Sequence, residues 1–466
     1  MLKNIKNHKL CLLILLAAAI FYSLISVIPH INFQTNAFDL GIFNQAIQKY
    51  ANFSFGPNTI REVPTLIADH FELLLFIFSP LYHLFGSYTL LIIQIIFALF
   101  GGLGCYLLIH KETKNKFLAV SSLIIFLIFF GLITALAFDY HNNTIGAMFI
   151  PWLFYTIKLR KIKLYYLILA LFLFSKETMP LIAIFFGIGA ILFEKKEMKI
   201  HGIITTIISV IYFFASLKII AYFNNGTYDH WPYASLGNSP IEMLQTITYH
   251  PLQSLGMMFD NTVKIKMWIL LLMSGGILTI FQPKYLILMI PIIAGKFFSS
   301  EEVYWGFSHH YAVEFAPIIA VSSILTIDKF LKSNFKKISA IVVIILNIVI
   351  LSQIHLYNGG KISRIFDINY YKNPIKKDIS SALKIIEKAD SVSAQNTFIP
   401  HLTNDKIYLF PKINDSKYII LNINDKNIWP FKSQKELIEE IGKTEQNNNY
   451  QNIYESNGIK VLERRT

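Results

Sequence analysis

Six short polar stretches carry the residues able to do chemistry: "FDLG" at 38–41, "DHFE" at 69–72, "FDYHNNT" at 138–144, "SKET" at 175–178, "TYDHW" at 227–231 and "SHH" at 308–310. Asp39 is placed to act as a general base or a metal ligand; helix N-capping is its structural alternative. Asp69, His70 and Glu72 follow, and His70 is the strongest of the three because a neutral imidazole takes a proton or binds a metal. Asp139 and His141 sit between two apolar runs. An acid near a membrane is costly, ~2.5–3.5 kcal/mol at mid-bilayer, which favours a pair facing a polar ligand or cation over a plain surface turn. Lys176 is a suitable partner for phosphate, with Glu177 beside it; a mutual ion pair is the alternative. Arg61 could serve as Lys176 does. Adjacent histidines on a helix diverge, so one of His309 and His310 is expected to enter the site. Asp229 and His230 rank lower, because their loop is long. Asp39 and Asp139 are the expected ligands if a divalent ion, Mg or Mn, takes part.

These stretches need elements to hold them, and the composition says which kind. Of 466 residues, 54% are hydrophobic and 15% charged, with 39 Phe and 24 Tyr, and several uncharged runs reach the length of a membrane helix. About eleven spans are expected, near 10–29, 88–109, 117–138, 145–157, 164–175, 179–193, 202–223, 267–281, 285–298, 311–327 and 338–356. The first run, behind Lys3, Lys6 and Lys9, is kept as a span because no small-residue cleavage site follows it. The segment 70–85, with Pro80 in its middle, reads as a re-entrant or interfacial helix within a first outer loop at 30–87. That choice makes the loop charges consistent. Loops at 110–116, 158–163, 194–199, 282–284 and 328–337 hold fifteen Lys and Arg, against Lys176, Lys264 and Lys266 in the intervening ones. Basic loops stay in the cytoplasm, which puts the amino terminus inside and all six polar stretches outside. The net charge of +13 therefore reflects topology, not a nucleic-acid partner. Several expected spans are too short to cross alone, so they should border a protein-lined, outward-opening cavity.

After Tyr357 the composition changes. "SVSAQ", "KIYLF" and "YIILNI" read as strands, and 376–388 and 433–443 as amphipathic helices. Residues 357–466 are thus expected to form a small soluble α/β domain, outside if the span count is odd, after an all-α polytopic membrane domain at 1–356. Cys11 and Cys105 lie in apolar runs and read as packing residues. No P-loop, GxGxxG in a strand–helix setting, HExxH or CxxC occurs, which argues against ATP-driven transport, redox chemistry and zinc proteolysis.

In order, "FDLGIFNQA", "ADHFELLLFIFSPLY", "FDYHNNT", "SKET" and "ADSVSAQNTFIPHLTNDKIYLFP" resemble a family of prokaryotic membrane proteins catalogued as domain of unknown function 2079. The resemblance runs over roughly 30–425. That family is grouped with the GT-C type glycosyltransferases, whose members place an acid in the first outer loop facing a polyprenyl-phosphate sugar. The resemblance therefore implies a GT-C-like membrane domain, a polyprenyl-phosphate-linked sugar as partner beside membrane lipid, and an inner-membrane location. Asp39 matches the "FD-x-G" acid, Asp69 and His70 the "HF" element, Asp139 and His141 the acid-and-histidine turn, and Lys176 and Glu177 the "KE" pair. Glu72, Asn142 and Thr178 depart from the family's usual residues. A transporter or flippase, or a structural assembly partner, is the competing expectation; a transporter should show a repeat relating two halves, and none is visible.

Overall fold

A computed structural model describes residues 8–357, 362–447 and 449–465. Lys3, Lys6 and the composition change just after Tyr357 lie outside the described residues. The chain is mostly helical with one small sheet, and it divides into two compact units.

The first unit comprises Met1–Ser23, Ile67–Leu74 and Ile93–Ile362. Chain-wide, five helical segments among the described residues are long and apolar enough to cross a membrane: Lys9–Ile31, Leu74–Thr113, Lys196–Phe223, Thr262–Thr279 and Ser333–Ile354. A sixth arises if Lys116–Leu127 and Phe130–Leu136, bent by 47°, count as one. The expectation of eleven is corrected accordingly, and the reason is physical. Ile162–Ser175 and Met179–Phe193 have 14 and 15 residues, and at ~1.5 Å per residue they fall short of the ~30 Å hydrocarbon layer. The apolar run at 145–157 is divided between two shorter helices, Asn142–Ala147 and Ile150–Lys158, buried throughout apart from Lys158. Phe315–Phe330 is likewise buried along most of its length. Such segments are apolar because protein surrounds them, whereas Lys196–Phe223 exposes Ile200, Ile203, Ile207, Ile211 and Phe214, as a lipid-facing helix does. The segment at 70–85 is not one helix. It breaks into Leu74–Phe78 and Tyr82–Phe85 around a tight turn at Ser79–Leu81, where Pro80 can sit because its missing N–H is not needed.

The second unit comprises Leu24–Leu66, Leu75–Ile92 and Ser363–Thr466. Its sheet has strands β1 (Ser391–Ala394), β2 (Lys406–Leu409), β3 (Tyr418–Asn422), β4 (Tyr450–Ser456) and β5 (Ile459–Arg464) in the order β2-β1-β3-β5-β4. β1 runs parallel to β2 and β3, while β5 is antiparallel to β3 and β4. The three expected strands are present. The β4–β5 hairpin was not expected, although Asn457 and Gly458, both at positive φ (50° and 83°), are its turn signal. Helix Gln434–Gln446 starts at Ser433, whose hydroxyl accepts from the Glu436 N–H, and its Leu437 and Ile441 pack on Phe410, Ile419, Leu421 and Leu462.

The first loop is packed into this same unit. Thr59 Oγ1 donates to the Ile407 carbonyl at 2.7 Å and accepts from the Ile407 N–H at 2.8 Å, covering the free edge of β2. Asn44 Nδ2 donates to the Pro400 carbonyl, and Lys49 pairs with Asp405 at 3.1 Å.

Candidate functional site

The first unit gathers four of the six polar stretches around buried charge, and "TYDHW" joins them through His230. Asp69, His70 and Glu72 leave a short turn, Leu66–Ala68, just before Leu74–Phe78. The Glu177 carboxylate clamps that turn: His70 Nδ1 lies 3.0 Å from Oε1, and the Phe71 N–H donates to Oε2 at 3.1 Å. Lys176 Nζ stands 3.7 Å from Glu72 Oε1, and Asn142 Nδ2 donates to Glu72 Oε2 at 2.6 Å. Lys176 and Glu177 thus reach two different partners on "DHFE", which goes beyond a mutual ion pair.

The turn carrying Asp139 and His141 is held through its backbone. Gln94, buried on helix Thr89–Thr113, donates to the Asp139 carbonyl at 2.8 Å and accepts from the His141 N–H at 2.9 Å. Asp139 has φ 51°, a left-handed value that Asp tolerates better than most residues. Helix Asn142–Ala147 then packs closely on the "SKET" turn. A Cβ on Gly146 would lie 2.6 Å from Ser175 Oγ and 2.8 Å from Met179 Sδ, so a larger residue would push these side chains aside.

The His141 ring stacks on His310 at 3.5 Å, and the edge of Phe138 meets His309 at 4.5 Å. Of the adjacent histidines it is His310 that stacks on His141; its Nδ1 is buried without a hydrogen-bond partner among the described residues. Asn143 donates to Glu314 at 3.2 Å, and Glu314 pairs with Lys296 at 3.1 Å. On the other side of "DHFE", His230 Nε2 lies 2.9 Å from Asp69 Oδ1, and its ring stacks on His70 at 4.2 Å.

Burial decides much of the electrostatics. It pushes the Glu72 carboxyl up to about 8, because an ionised carboxylate loses its water there. It lowers His70 as well, reinforced by the Lys176 ammonium. Burial alone would raise Glu177, yet His70 and Lys176 together hold it at about 2. Lys176 is raised because the Glu177 and Glu72 carboxylates outweigh its burial. At pH 7 Glu177 is therefore ionised, Glu72 is largely protonated, and Lys176 remains a cation.

Asp39 and Arg61 belong to the second unit. Asp39 lies in the turn Ala37–Gly41 and is not the N-cap of helix Ile42–Ala51, which starts from Gly41. Its turn is tied to the sheet domain: Asn396 Oδ1 accepts from the Ala37 N–H at 2.8 Å, and Asn36 Oδ1 accepts from Asn396 and Asn427 at 3.0 and 2.7 Å. Among the described residues, neither Asp39 nor Asp139 belongs to a group of three or more converging metal donors; Asp69, His70 and His230 do.

His230, Glu314 and Lys296 were underweighted or missed in the sequence. His230 had a visible signal, an acid–histidine pair in an outer loop. Lys296 had a weaker one, a single lysine inside an apolar run, where an unpaired charge is costly.

Helices able to cross a membrane, with buried ionisable groups collected at the ends of short apolar helices, define a multi-spanning membrane protein with a polar site. The chain belongs to the family of predicted membrane proteins DUF2079, whose model matches residues 29–461. No curated protein matches the chain.

Proposed function

We propose that the protein is a glycosyltransferase of the GT-C type, seated in the inner membrane, that moves a sugar from a polyprenyl phosphate to an extracytoplasmic acceptor. The observation that carries this reading is the buried cluster of Lys176, Glu72, Glu177 and His70. A lysine held in a buried cluster, with the neighbouring Glu72 carboxyl pushed up by burial, supplies a cation that can meet a phosphate in a poorly solvated site. Asp139, in the turn that also carries His141, takes the proton of the acceptor hydroxyl. The acceptor oxygen then bonds to the anomeric carbon as the carbon–oxygen bond to phosphate breaks. Polyprenyl phosphate leaves with the electron pair, and Lys176 stabilises its charge. The scheme draws only on the first unit. Asp39, which the family resemblance singles out as the acid of the first loop, is an independent candidate base, and Asp39→Asn is assayed beside Asp139→Asn.

The concentration of Lys and Arg in segments 110–116, 158–163, 194–199 and 328–337, away from the polar stretches, supports an outward-facing site and a cytoplasmic amino terminus. An extracytoplasmic sheet domain is part of the same proposal. The test is purification in nanodiscs with native lipids, followed by mass spectrometry of co-purifying lipids and transfer assays with a polyprenyl-phosphate-linked sugar. Bound polyprenyl phosphate or its glycoside, lost in a folded Lys176→Ala variant, and turnover lost in Asp139→Asn, are the expected results. Bulk phospholipid alone, unchanged by either substitution, would redirect the assignment to transport or assembly.

A further inference from the structure

We propose that Asp69, His70 and His230 form a binding site for one divalent transition-metal ion of the zinc type. Their donor atoms all lie within 4.8 Å of one another, and no other group of three or more such donors occurs among the described residues. Both imidazole Nε2 atoms converge on a single carboxylate: His230 Nε2 is 2.9 Å from Asp69 Oδ1, and His70 Nε2 is 3.9 Å from Asp69 Oδ2. Ligands ~2.0–2.1 Å from a tetrahedral zinc stand about 3.3 Å apart, so the donors, now within 4.8 Å of one another, close on the ion by side-chain rotation. Two imidazoles and a carboxylate favour zinc over magnesium, which prefers an all-oxygen octahedron.

A second observation supports the assignment independently. His70 Nδ1 lies 3.0 Å from Glu177 Oε1, and the tautomer that donates Nδ1–H to this carboxylate oxygen satisfies both groups. That tautomer leaves the Nε2 lone pair directed at the donor group. A carboxylate behind a ligating histidine is the usual way a metal ligand is oriented, and here Glu177 is itself fixed by the Phe71 N–H. The His70 and His230 rings stack at 4.2 Å and 18°, so binding one ion turns the more exposed His230 ring until its Nε2 lone pair meets that of His70. Asp69 and Glu177 supply negative charge beside the donor atoms, Asp69 as a ligand and Glu177 through its contact with His70 Nδ1 at 3.0 Å. For the ion to enter, His230 exchanges its Nε2–H tautomer for the Nδ1–H form, with no net proton change. Three protein ligands leave one position of the tetrahedron for solvent or a substrate oxygen. The inference stands without the transferase reading, because it is tested by metal content alone.

The experiment uses the full chain in nanodiscs, its affinity tag removed, stripped with chelator and dialysed against Zn²⁺, Mn²⁺ or Mg²⁺ separately. Metal per chain is read by mass spectrometry, and Co²⁺ loading by visible absorption. The expected result is one Zn²⁺ per chain, a four-coordinate Co²⁺ spectrum, and loss of both in His230→Ala and in Asp69→Asn. Glu177→Gln should weaken Zn²⁺ binding about 10–100-fold, as removal of an orienting partner does. His250→Ala, at an exposed histidine outside the group, should retain the ion. Size-exclusion and circular dichroism profiles qualify each variant as folded; if His230→Ala fails them, His230→Gln replaces it. Absence of Zn²⁺ from the wild type, Zn²⁺ content unaffected by all the ligand substitutions, or uptake of Mg²⁺ in place of Zn²⁺ would each overturn the assignment.

Discussion

Glu72 and Glu177 are two buried acids with opposite fates, and that contrast is the sharpest test at the residue scale. Glu177 is ionised, bonded to His70 and the Phe71 N–H, and removing its charge breaks a buried pair. Glu177→Gln should therefore destabilise the protein by about 3–5 kcal/mol. Glu72 is already largely protonated at pH 7, so Glu72→Gln should cost less than about 2 kcal/mol. Unfolding in detergent followed by tryptophan fluorescence compares the two, and equal costs would reject the difference in ionisation. His401 offers a pH-dependent test in the second unit. Burial, with His30 and Lys376 nearby, holds it well below its ordinary 6.5. Between that lowered value and 6.5 the unfolded chain binds the proton and the folded one does not, so stability present above pH 6.5 is lost as pH falls. Each pH unit of that window is worth up to about 1.4 kcal/mol. Hydrogen exchange over 395–410, corrected for intrinsic rates, should show less protection at pH 5.5 than at pH 7.5, and His401→Gln should remove much of the difference.

At the scale of elements, close approaches decide where the polar turns sit. Gly41 of "FDLG" is one: a Cβ there would stand 2.7 Å from Ile399 Cγ2, so the turn bearing Asp39 lies flush against the short turn Ile399–His401. Gly41→Ala should cost about 1–3 kcal/mol through overpacking. Ile399→Ala removes the obstructing methyl, so the double variant should be less destabilised than the sum of the singles by about 0.5–3 kcal/mol. Additivity within error would mean that the two elements do not touch. This contact also gives "FDLG" a physical reason for its glycine, which no property of the four letters supplies.

For the whole molecule, the open quantity is which loops face which side. The charge asymmetry predicts that single cysteines at Lys114 and Lys195 are protected from an impermeant maleimide in intact cells, and that one at Asn225 is labelled. All three positions are exposed, and the native Cys11 and Cys105 are buried. The reverse pattern would invert the topology and place the site in the cytoplasm.

Much of the architecture was legible from hydropathy and alternation. The membrane class follows from long uncharged runs, and the strands at "SVSAQ", "KIYLF" and "YIILNI" follow from β-branched, apolar segments between turns. These properties are local, so the order of residues determines them. The span count was not legible, because an apolar helix surrounded by protein and one surrounded by lipid have the same composition. Phe315–Phe330 and Lys196–Phe223 differ in what covers them. Nor could the linear chain show that Glu177 would clamp the turn at 69–72, more than a hundred residues earlier, or that Asn142 would meet Glu72. It also could not show that His230, in a long and unpromising loop, would lie against Asp69. Partnership among charges depends on long-range packing, since burying an ionisable group is tolerated only where the fold brings a counter-charge or a donor to it. Local chemistry nominated the acids and histidines; their pairing was decided by tertiary structure alone.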